Sequence, residues 1–250
     1  MKQFLITTLM FTILTAFADQ AGEQIGRRTF GLTRPSDLSA IATMTLIDRQ
    51  GTRRQRRLEF YSKEAGTTTS TFMKFLEPAD VSGTKFLAID RNGTEEQRIY
   101  LPTMRRVRLI SSSGKNGRFV NSDILYYDLE TRRFEDFDYK YLRDETLEGV
   151  DYSVVELTSR DQDSPYARAV VWVSKRDNFL YRMECYDRSS NQLIKRIIIV
   201  EVSNTNGIII PVRTVFDNIK DGTKTLLELS QLRINSGLRD EMFSITNLEN

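Results

Sequence analysis

Apolar and polar side chains alternate along most of this chain, beginning at Leu38. A period of two is typical of β-strands, because successive side chains of a strand point to opposite faces of the sheet. In the first such stretch, one set of residues alternates with another: Ile41, Thr43, Thr45 and Ile47 with Ala42, Met44, Leu46 and Asp48. Similar patterns predict strands over residues 57–60, 67–76, 86–89, 98–101 and 105–110. Asn92-Gly93 lies between two of these strands and predicts a tight hairpin turn.

The second half of the chain predicts a strand pair followed by a meander. Tyr139–Leu147 and Tyr152–Ser159 are expected to pair around the turn at Glu148-Gly149. Residues 167–235 predict about five strands joined by tight turns. One large, twisted antiparallel sheet with little helix fits this pattern, and such a sheet must curl and bury one face.

Helix is predicted only in short pieces. Ser122–Leu129 is the best central helix candidate, with Ser122 or Asp123 as its N-cap. Residues 19–34 predict either a short helix or an unstructured lead into the sheet. Because no linker and no internal repeat interrupts the pattern, we expect a single domain over residues 19–250.

The stretch from Val81 to Leu129 organises the rest of the chain. Its two strands are separated near Pro102, which cannot donate a ladder hydrogen bond and therefore fits a turn or a sheet edge. The loop from Ser111 to Gly117 has no side chain suited to a core, so we expect it to move more than its flanks. Two interpretations stay open for this loop, a gate over a cavity and an ordinary long connection.

The first residues predict a secretory signal. Lys2 supplies a positive start, residues 4–17 are apolar apart from scattered threonines, and Ala16-Phe17-Ala18 is a cleavage site of the small-x-small type. We expect cleavage after Ala18, with an uncleaved anchor as the alternative. No cysteine lies near that point, so the exported protein is not expected to be lipidated.

Composition narrows the possible chemistry. The 250 residues carry a formal net charge of +2 and no histidine, which removes the commonest general base and most catalytic zinc sites. Cys185, the single cysteine, lies in an alternating segment and is expected to be a buried structural thiol. No catalytic residues, cofactor or metal are expected, and the interspersed charges do not call for a nucleic-acid partner.

Two charged groups leave alternatives open. The basic runs Arg53–Arg57 and Arg105–Arg108 fit solvated strand ends, a patch for anionic lipid headgroups or an acidic partner, or a nucleic-acid surface. A second set consists of acidic residues interleaved with aromatic residues. This set fits a solvated face better than a pair of carboxylates for acid–base catalysis or a calcium-binding loop. Its members are Glu135, Asp136, Asp138, Asp144, Glu145 and Glu148.

The central block and the tail resemble the LolA-like family of outer-membrane lipoprotein-sorting proteins over roughly residues 38–248. In the central block the resemblance is carried by Asp80–Thr84, Ile99–Arg108, Ser111–Ser113, Asn121-Ser122-Asp123 and Tyr126-x-Asp128-Leu129. In the tail it is carried by Val171-Trp172-Val173, Phe179–Arg182, Tyr186-Asp187, Lys195, Gly207, Pro211, Asp217, Gly222–Thr225 and Phe243. Asn121 stands where relatives often have glycine.

The resemblance implies an incomplete, strongly curved antiparallel β-barrel with short helices forming a lid over a hydrophobic cavity. Acyl chains of a lipoprotein or another lipid would occupy that cavity. We therefore expect several residues to line or gate it: Tyr100, Leu101, Met104, Val107, Phe119, Tyr126, Tyr127 and, on a facing sheet, Trp172. Arg105, Arg106 and Arg108 form the candidate patch for a headgroup or a partner. Which side of each strand points inward is not decided by the sequence.

Three functions compete. The first is a periplasmic carrier that binds lipoprotein acyl chains or phospholipid and delivers them towards the outer membrane, with an inner-membrane transporter and an outer-membrane acceptor as partners. The second is an accessory or scaffolding module of a lipid-exporting membrane transporter, which would use its surface rather than a cavity. The third is an enzyme, which the lack of histidine and of a nucleophile motif disfavours.

Overall fold

A computed structural model of the protein describes residues 19–249, so the predicted signal segment lies outside the described residues. Helix α1 covers residues 19–30. The strands follow as β1 Asp37–Ile47, β2 Arg53–Ala65, β3 Thr68–Glu77, β4 Lys85–Arg91, β5 Thr94–Leu101, β6 Arg106–Leu109, β7 Phe137–Leu147, β8 Val150–Ser159, β9 Tyr166–Ser174, β10 Leu180–Asp187, β11 Leu193–Thr205, β12 Ile208–Asn218 and β13 Thr223–Ile234. Helix α2, Ile245–Glu249, ends the chain, and 3-10 turns lie at Ser113–Asn116, Phe119–Asn121, Tyr127–Leu129, Phe134–Asp136 and Asp240–Phe243.

The chain divides into two compact units. The smaller unit combines residues 19–32 with Arg133–Ile194, and the larger unit combines Thr33–Arg132 with residues 195–249. The single domain predicted over residues 19–250 stays a prediction. Each unit is described separately below.

The larger unit is an open antiparallel sheet. Its strand order is β6-β5-β4-β3-β2-β1-β13-β12-β11, and every neighbouring pair is antiparallel. The predicted turns are present, with Asn92 and Gly93 between β4 and β5 at positive φ. The prediction of a mainly β fold with an antiparallel sheet that does not close is confirmed.

Both faces of strand β4 in the larger unit are buried. Phe86 and Ala88 belong to the core on one face, whereas Leu87 and Ile89 pack with Phe243 and Leu248 on the other. This second face is covered by the C-terminal residues around helix α2. Cover on both faces explains why residues 86–89 of β4 are all apolar instead of alternating with polar residues.

The smaller unit has the strand order β10-β9-β8-β7, with helix α1 packed on one face. Ile25 of α1 contacts a cluster that includes Tyr139, Val155 and Val171. A Cβ atom at Gly22 would lie 2.8 Å from the backbone nitrogen of Tyr141, so glycine lets the helix approach strand β7 closely. Of the two predicted alternatives for the lead segment, the structure therefore shows the helix. Cys185 of β10 is buried, as predicted.

The prediction of a central helix over Ser122–Leu129 is wrong. Only the 3-10 turn Tyr127–Leu129 forms there, and neither Ser122 nor Asp123 caps an α-helix. Short polar side chains bond locally instead, because the Ser122 hydroxyl donates to the Phe119 carbonyl at 2.7 Å and Asp128 accepts from the Leu125 amide at 2.8 Å. These local bonds compete with helical hydrogen bonding and keep the segment irregular.

Candidate functional site

One face of the larger sheet carries an apolar surface that crosses eight of its strands. Residues opposite each other in an antiparallel pair share a face, so the register traces this surface from Ile99 on β5 through Phe86, Met73 and Phe60 to β1. From Met44 on β1 it continues through Leu227 on β13 and Thr214 on β12 to Ile199 on β11. We call this side the plug face.

Residues 110–132, named here the plug segment, lie on the half of the plug face formed by β1 to β4. Phe119 is 1% exposed and Ile124 is 3% exposed, and both pack with Met44, Leu58 and Phe75. The ring of Phe119 has its centroid 5.2 Å from that of Phe86 in an edge-on arrangement. The plug segment thus fills this half of the surface with the chain's own side chains.

A buried carboxylate fastens the plug segment to strand β13. Asp123 is 4% exposed, and its carboxylate accepts hydrogen bonds from the hydroxyls of Thr223 at 2.5 Å and Thr225 at 2.9 Å. The Thr225 hydroxyl oxygen also accepts from the Asp123 amide at 2.9 Å, and the Asn218 amide donates to the carboxylate at 3.2 Å. Burying a carboxylate is tolerated here because several donors surround it.

A buried ion pair fastens the plug segment to strand β11. The Lys195 Nζ lies 2.6 Å from the Asp128 carboxylate, and both side chains are about 5% exposed or less. Two further polar groups bind plug carbonyls, since Arg56 donates to Val120 and Gln97 donates to Tyr126. Side chains from β2, β5, β11 and β13 thus hold the plug segment.

The plug segment needs two consecutive left-handed residues. Val120 and Asn121 have φ of 47° and 57°, a region that β-branched side chains rarely adopt. Asn121 is the residue that stands where relatives of the resembled family often have glycine, and asparagine tolerates this region better than other non-glycine residues. Arg56 donates a hydrogen bond to the Val120 carbonyl, which helps to hold Val120 in this strained conformation.

The other half of the plug face is left only partly covered. On β11, β12 and β13 the same apolar surface continues with side chains that are each half-buried: Ile197, Ile199, Phe216, Leu227 and Leu229. We call these five residues the open strip. Phe216, Leu227 and Leu229 also contact the core under the plug segment, so the open strip and the plugged half are continuous.

The predicted lining residues fall into three places within the larger unit. Phe119, Tyr126 and Tyr127 belong to the plug segment, where Phe119 and Tyr126 form part of the buried aromatic cluster. Tyr100 and Val107 pack on the opposite face, with the C-terminal cover. Leu101 begins the turn after β5 and is half-buried, whereas Met104 is 49% exposed. Whether these residues line or gate a cavity stays a prediction.

Trp172 lies in the smaller unit, on the face of β9 opposite helix α1. It packs with Val154 and Val170, whereas Val171 and Val173 face the helix. The guanidinium of Arg182 stands 4.6 Å from the centre of its ring. The proposed role of Trp172 on a facing sheet likewise stays a prediction.

The structure also places the other candidates. Arg105, Arg106 and Arg108 are exposed. Burial raises the pKa of Tyr126 and the positive charge of Arg108 lowers it, so Arg108 lies near the plug segment. Lys115, in the loop that was predicted to move, pairs with Glu130. Within residues 19–249 no group of at least three metal-ligating side chains could hold an ion, and no helix is long and apolar enough to cross a membrane.

Sequence reasoning missed the open strip and the polar groups that hold the plug segment. Alternation marks Ile197, Phe216 and Leu227 as strand residues, but only the strand register shows that they share one face. For the polar groups a signal was present: Asp123, Asp128, Lys195 and Thr225 all belong to the motifs that carry the resemblance. Their hydrogen bonds explain why those polar types stand at those positions.

The larger unit is thus an open antiparallel sheet with a chain segment lying on one apolar face, and comparisons with known proteins show which proteins share this fold. A protein-family model described as "Uncharacterized protein" matches residues 67–250. No curated protein matches this sequence. Among solved structures, a DUF1329 family protein from Desulfovibrio piger superposes with a TM-score of 0.87 at 27% identity, covering 92% of this chain and 99% of the other.

Two further structures carry descriptive names. A putative outer membrane lipoprotein-sorting protein domain from Vibrio parahaemolyticus matches with a TM-score of 0.86 at 29% identity, over 93% of this chain and all of the other. A LolA superfamily protein from Nitrosomonas europaea matches with a TM-score of 0.70 at 21% identity, over 89% and 97% of the two chains. The chain belongs to the family that this protein-family model describes, and its fold is similar to those of the lipoprotein-sorting domain and the LolA superfamily protein. The expected fold class, an incomplete antiparallel barrel, is confirmed.

Proposed function

We propose that this protein is a periplasmic, non-enzymatic carrier that binds acyl chains of lipoproteins or phospholipids on the open strip and delivers them towards the outer membrane. The open strip carries this proposal, because its five side chains continue the buried apolar surface without full cover from the chain. The name of the Vibrio parahaemolyticus relative supports the cargo class and the compartment. An inner-membrane transporter and an outer-membrane acceptor are the partners that such transfer requires.

The energetics favour a carrier. An acyl chain of about 15 methylenes exposed to water is unfavourable by on the order of 12 kcal/mol, at about 0.8 kcal/mol per methylene. A protein that covers the chain only in part leaves the complex weak enough for release. The open strip is suited to this, because its residues are half-buried rather than enclosed.

The plug segment would set the size of the site. It occupies the half of the plug face next to the open strip with Phe119, Ile124 and Tyr126. Cargo longer than the open strip would have to displace these side chains or lie beside them. Hydrogen bonds and an ion pair hold the plug segment in addition to apolar contacts. Because such polar contacts are either made or broken, the segment can adopt two distinct positions, one on the plug face and one displaced from it.

The experiment is native mass spectrometry with lipid extraction on the mature protein from the exported fraction, followed by titration of the delipidated protein with a fluorescent fatty acid. We expect bound phospholipid or acylated protein, and saturable uptake of the probe. The variant Ile197→Gln/Leu227→Gln should lower probe affinity at least tenfold, because polar amides would face the acyl chain.

The neighbouring residues provide a matched control. Ile198 and Leu226 are also half-buried on β11 and β13, but they point to the opposite face. Ile198→Gln/Leu226→Gln should therefore leave probe binding unchanged at a similar loss of stability. A protein that purifies without lipid and takes up no probe would refute the carrier proposal and favour the scaffolding function.

A further inference from the structure

Strand β6 ends the strand order of the larger unit, and among the strands of residues 19–249 it pairs only with β5. The turn that leads into it contains Met104, which is 49% exposed, and the strand ends at Leu109, which is 58% exposed. Arg105, Arg106 and Arg108 lie between them and are also exposed. We name residues 101–109 the arginine hairpin. It combines cationic and apolar side chains at one free edge.

The three arginines of this hairpin are not neutralised by the rest of the described chain. Within residues 19–249, none of them forms an ion pair, whereas Arg57, Arg98 and Arg118 of the same unit do. Arg57 pairs with Glu77 and Arg98 pairs with Glu96. The arginine hairpin therefore brings three positive charges together without an anionic partner among the described residues.

The hairpin is held in a defined conformation. The Met104 amide donates to the Leu101 carbonyl at 3.0 Å, and the Arg105 amide donates to the Pro102 carbonyl at 3.2 Å. On one side of the strand Val107 packs against Tyr100 in the core beneath the C-terminal residues. The backbone that carries the exposed side chains of the arginine hairpin is therefore fixed. Because it is already ordered, less conformational entropy is lost when these side chains bind a surface.

We propose that the arginine hairpin docks on the anionic surface of a phospholipid membrane. Guanidinium groups bind lipid phosphates in a fork geometry, and each basic side chain near an anionic membrane surface adds about a factor of five in affinity. Met104 and Leu109 would enter the interface between headgroups and acyl chains. Pairing of β6 with an extended peptide is less favoured, because charged side chains on a short edge strand disfavour strand addition.

The proposal is independent of cargo binding. Fluorescent-fatty-acid uptake reports on the open strip, and vesicle sedimentation reports on the arginine hairpin, so either can fail alone. The probe is a set of large unilamellar vesicles of phosphatidylcholine with 30% phosphatidylglycerol as an anionic lipid at roughly physiological salt, with pure phosphatidylcholine vesicles for comparison.

The charge test uses Arg105→Glu/Arg106→Glu against Arg53→Glu/Arg54→Glu. The second pair of arginines is also exposed and gives the same change in net charge. We expect wild type to bind anionic vesicles, and the hairpin variant to lose at least tenfold in affinity while the control loses less than twofold. Binding that weakens equally in both variants, or no preference of wild type for anionic vesicles, would overturn the proposal.

The apolar contribution has its own control. Met104→Ser/Leu109→Ser is compared with Val200→Ser/Ile219→Ser, because Val200 and Ile219 are 55% and 40% exposed at other positions. We expect the hairpin variant to bind severalfold more weakly and the control to bind as wild type does. If the hairpin variant binds normally, Met104 and Leu109 do not enter the membrane and the interfacial part of the proposal is wrong. Exposed substitutions of this kind leave folding intact, which circular dichroism verifies.

Discussion

The two halves of the plug face share one sheet and one sequence pattern but differ in what covers them. Under the plug segment, Phe75 and Phe86 are fully buried. Along the open strip, side chains of similar character such as Ile197 and Phe216 stay half-buried. The strands themselves do not account for this difference, because the strands of both halves present apolar residues to the plug face.

The difference comes from where the chain places its polar fastenings. Asp123 and Asp128 reach Thr225 on β13 and Lys195 on β11, so the plug segment is tied to strands of the open half while its aromatic side chains fill the other half. A segment bound in this way covers the half of the plug face formed by β1 to β4 and ends beside the open strip. The comparison teaches that a partly exposed apolar surface in this fold is made by limiting the chain's own cover, not by a separate arrangement of strands.

The largest expected effect is in the plugged half. Phe119→Ala should lower the free energy of unfolding by about 3–5 kcal/mol, because a fully buried ring is lost and leaves a void. Phe216→Ala in the open strip should lower it by about half as much, because that side chain is only half-buried. Urea denaturation of both variants measures this. Equal losses would mean that the two halves are covered alike.

The alternation that defines both halves could be predicted from the sequence, whereas their cover could not. Strand positions such as Met44 follow from period two, and the hairpin at Asn92-Gly93 follows from turn chemistry. The face that each strand buries depends on register across strands distant in sequence, as in the pairing of Met44 with Leu227. No local pattern contains that information.

The conformation of the plug segment is the second feature that could not be predicted from the sequence. Ser122–Leu129 has residue types that favour a helix with an N-cap, yet Asp123 is used by the hydroxyls of Thr223 and Thr225, about a hundred residues away. Tertiary hydrogen bonds override the local preference there. The exposed arginines were predictable as a charged patch, because short charged edge strands are typical of open sheets.

The next largest effect is expected at Asp123, which binds the plug segment to strand β13. Asp123→Asn should lower the free energy of unfolding by about 2–3 kcal/mol, because an amide nitrogen would meet hydroxyl and amide donors that now bind a carboxylate. Hydrogen–deuterium exchange should rise in residues 110–132 more than in strands β2 and β3. Fatty-acid uptake should become faster, because the plug segment is then displaced more easily.

A matched change tests whether the effect is specific to the fastening. Asp221→Asn alters a neighbouring carboxylate that is paired with Arg118 but is more exposed. It should change exchange in the plug segment far less than Asp123→Asn does. If the two variants raise exchange equally, the buried carboxylate has no special part in holding the segment.

The smallest effect should be found on the opposite face of the larger unit, at Asp37. Its carboxylate accepts from the amides of Ser236, Gly237 and Leu238 at 2.8, 2.8 and 3.3 Å, which fastens the chain that leads to the C-terminal cover. Burial alone would raise the pKa of Asp37, but these hydrogen bonds outweigh it and lower the pKa below its ordinary value of 3.8.

A lowered carboxyl pKa makes the stabilisation pH-dependent. The contribution of Asp37 is present above pH 3.8, the ordinary pKa, and is lost as the pH falls through the lower pKa of the folded state. Asp37→Asn should therefore reduce the free energy of unfolding by about 1–2 kcal/mol at neutral pH and by progressively less in acid. Denaturation at a series of pH values measures this, and a difference that is independent of pH would contradict the assignment. Fatty-acid uptake should stay unchanged, because Asp37 fastens the cover of the opposite face and not the plug segment.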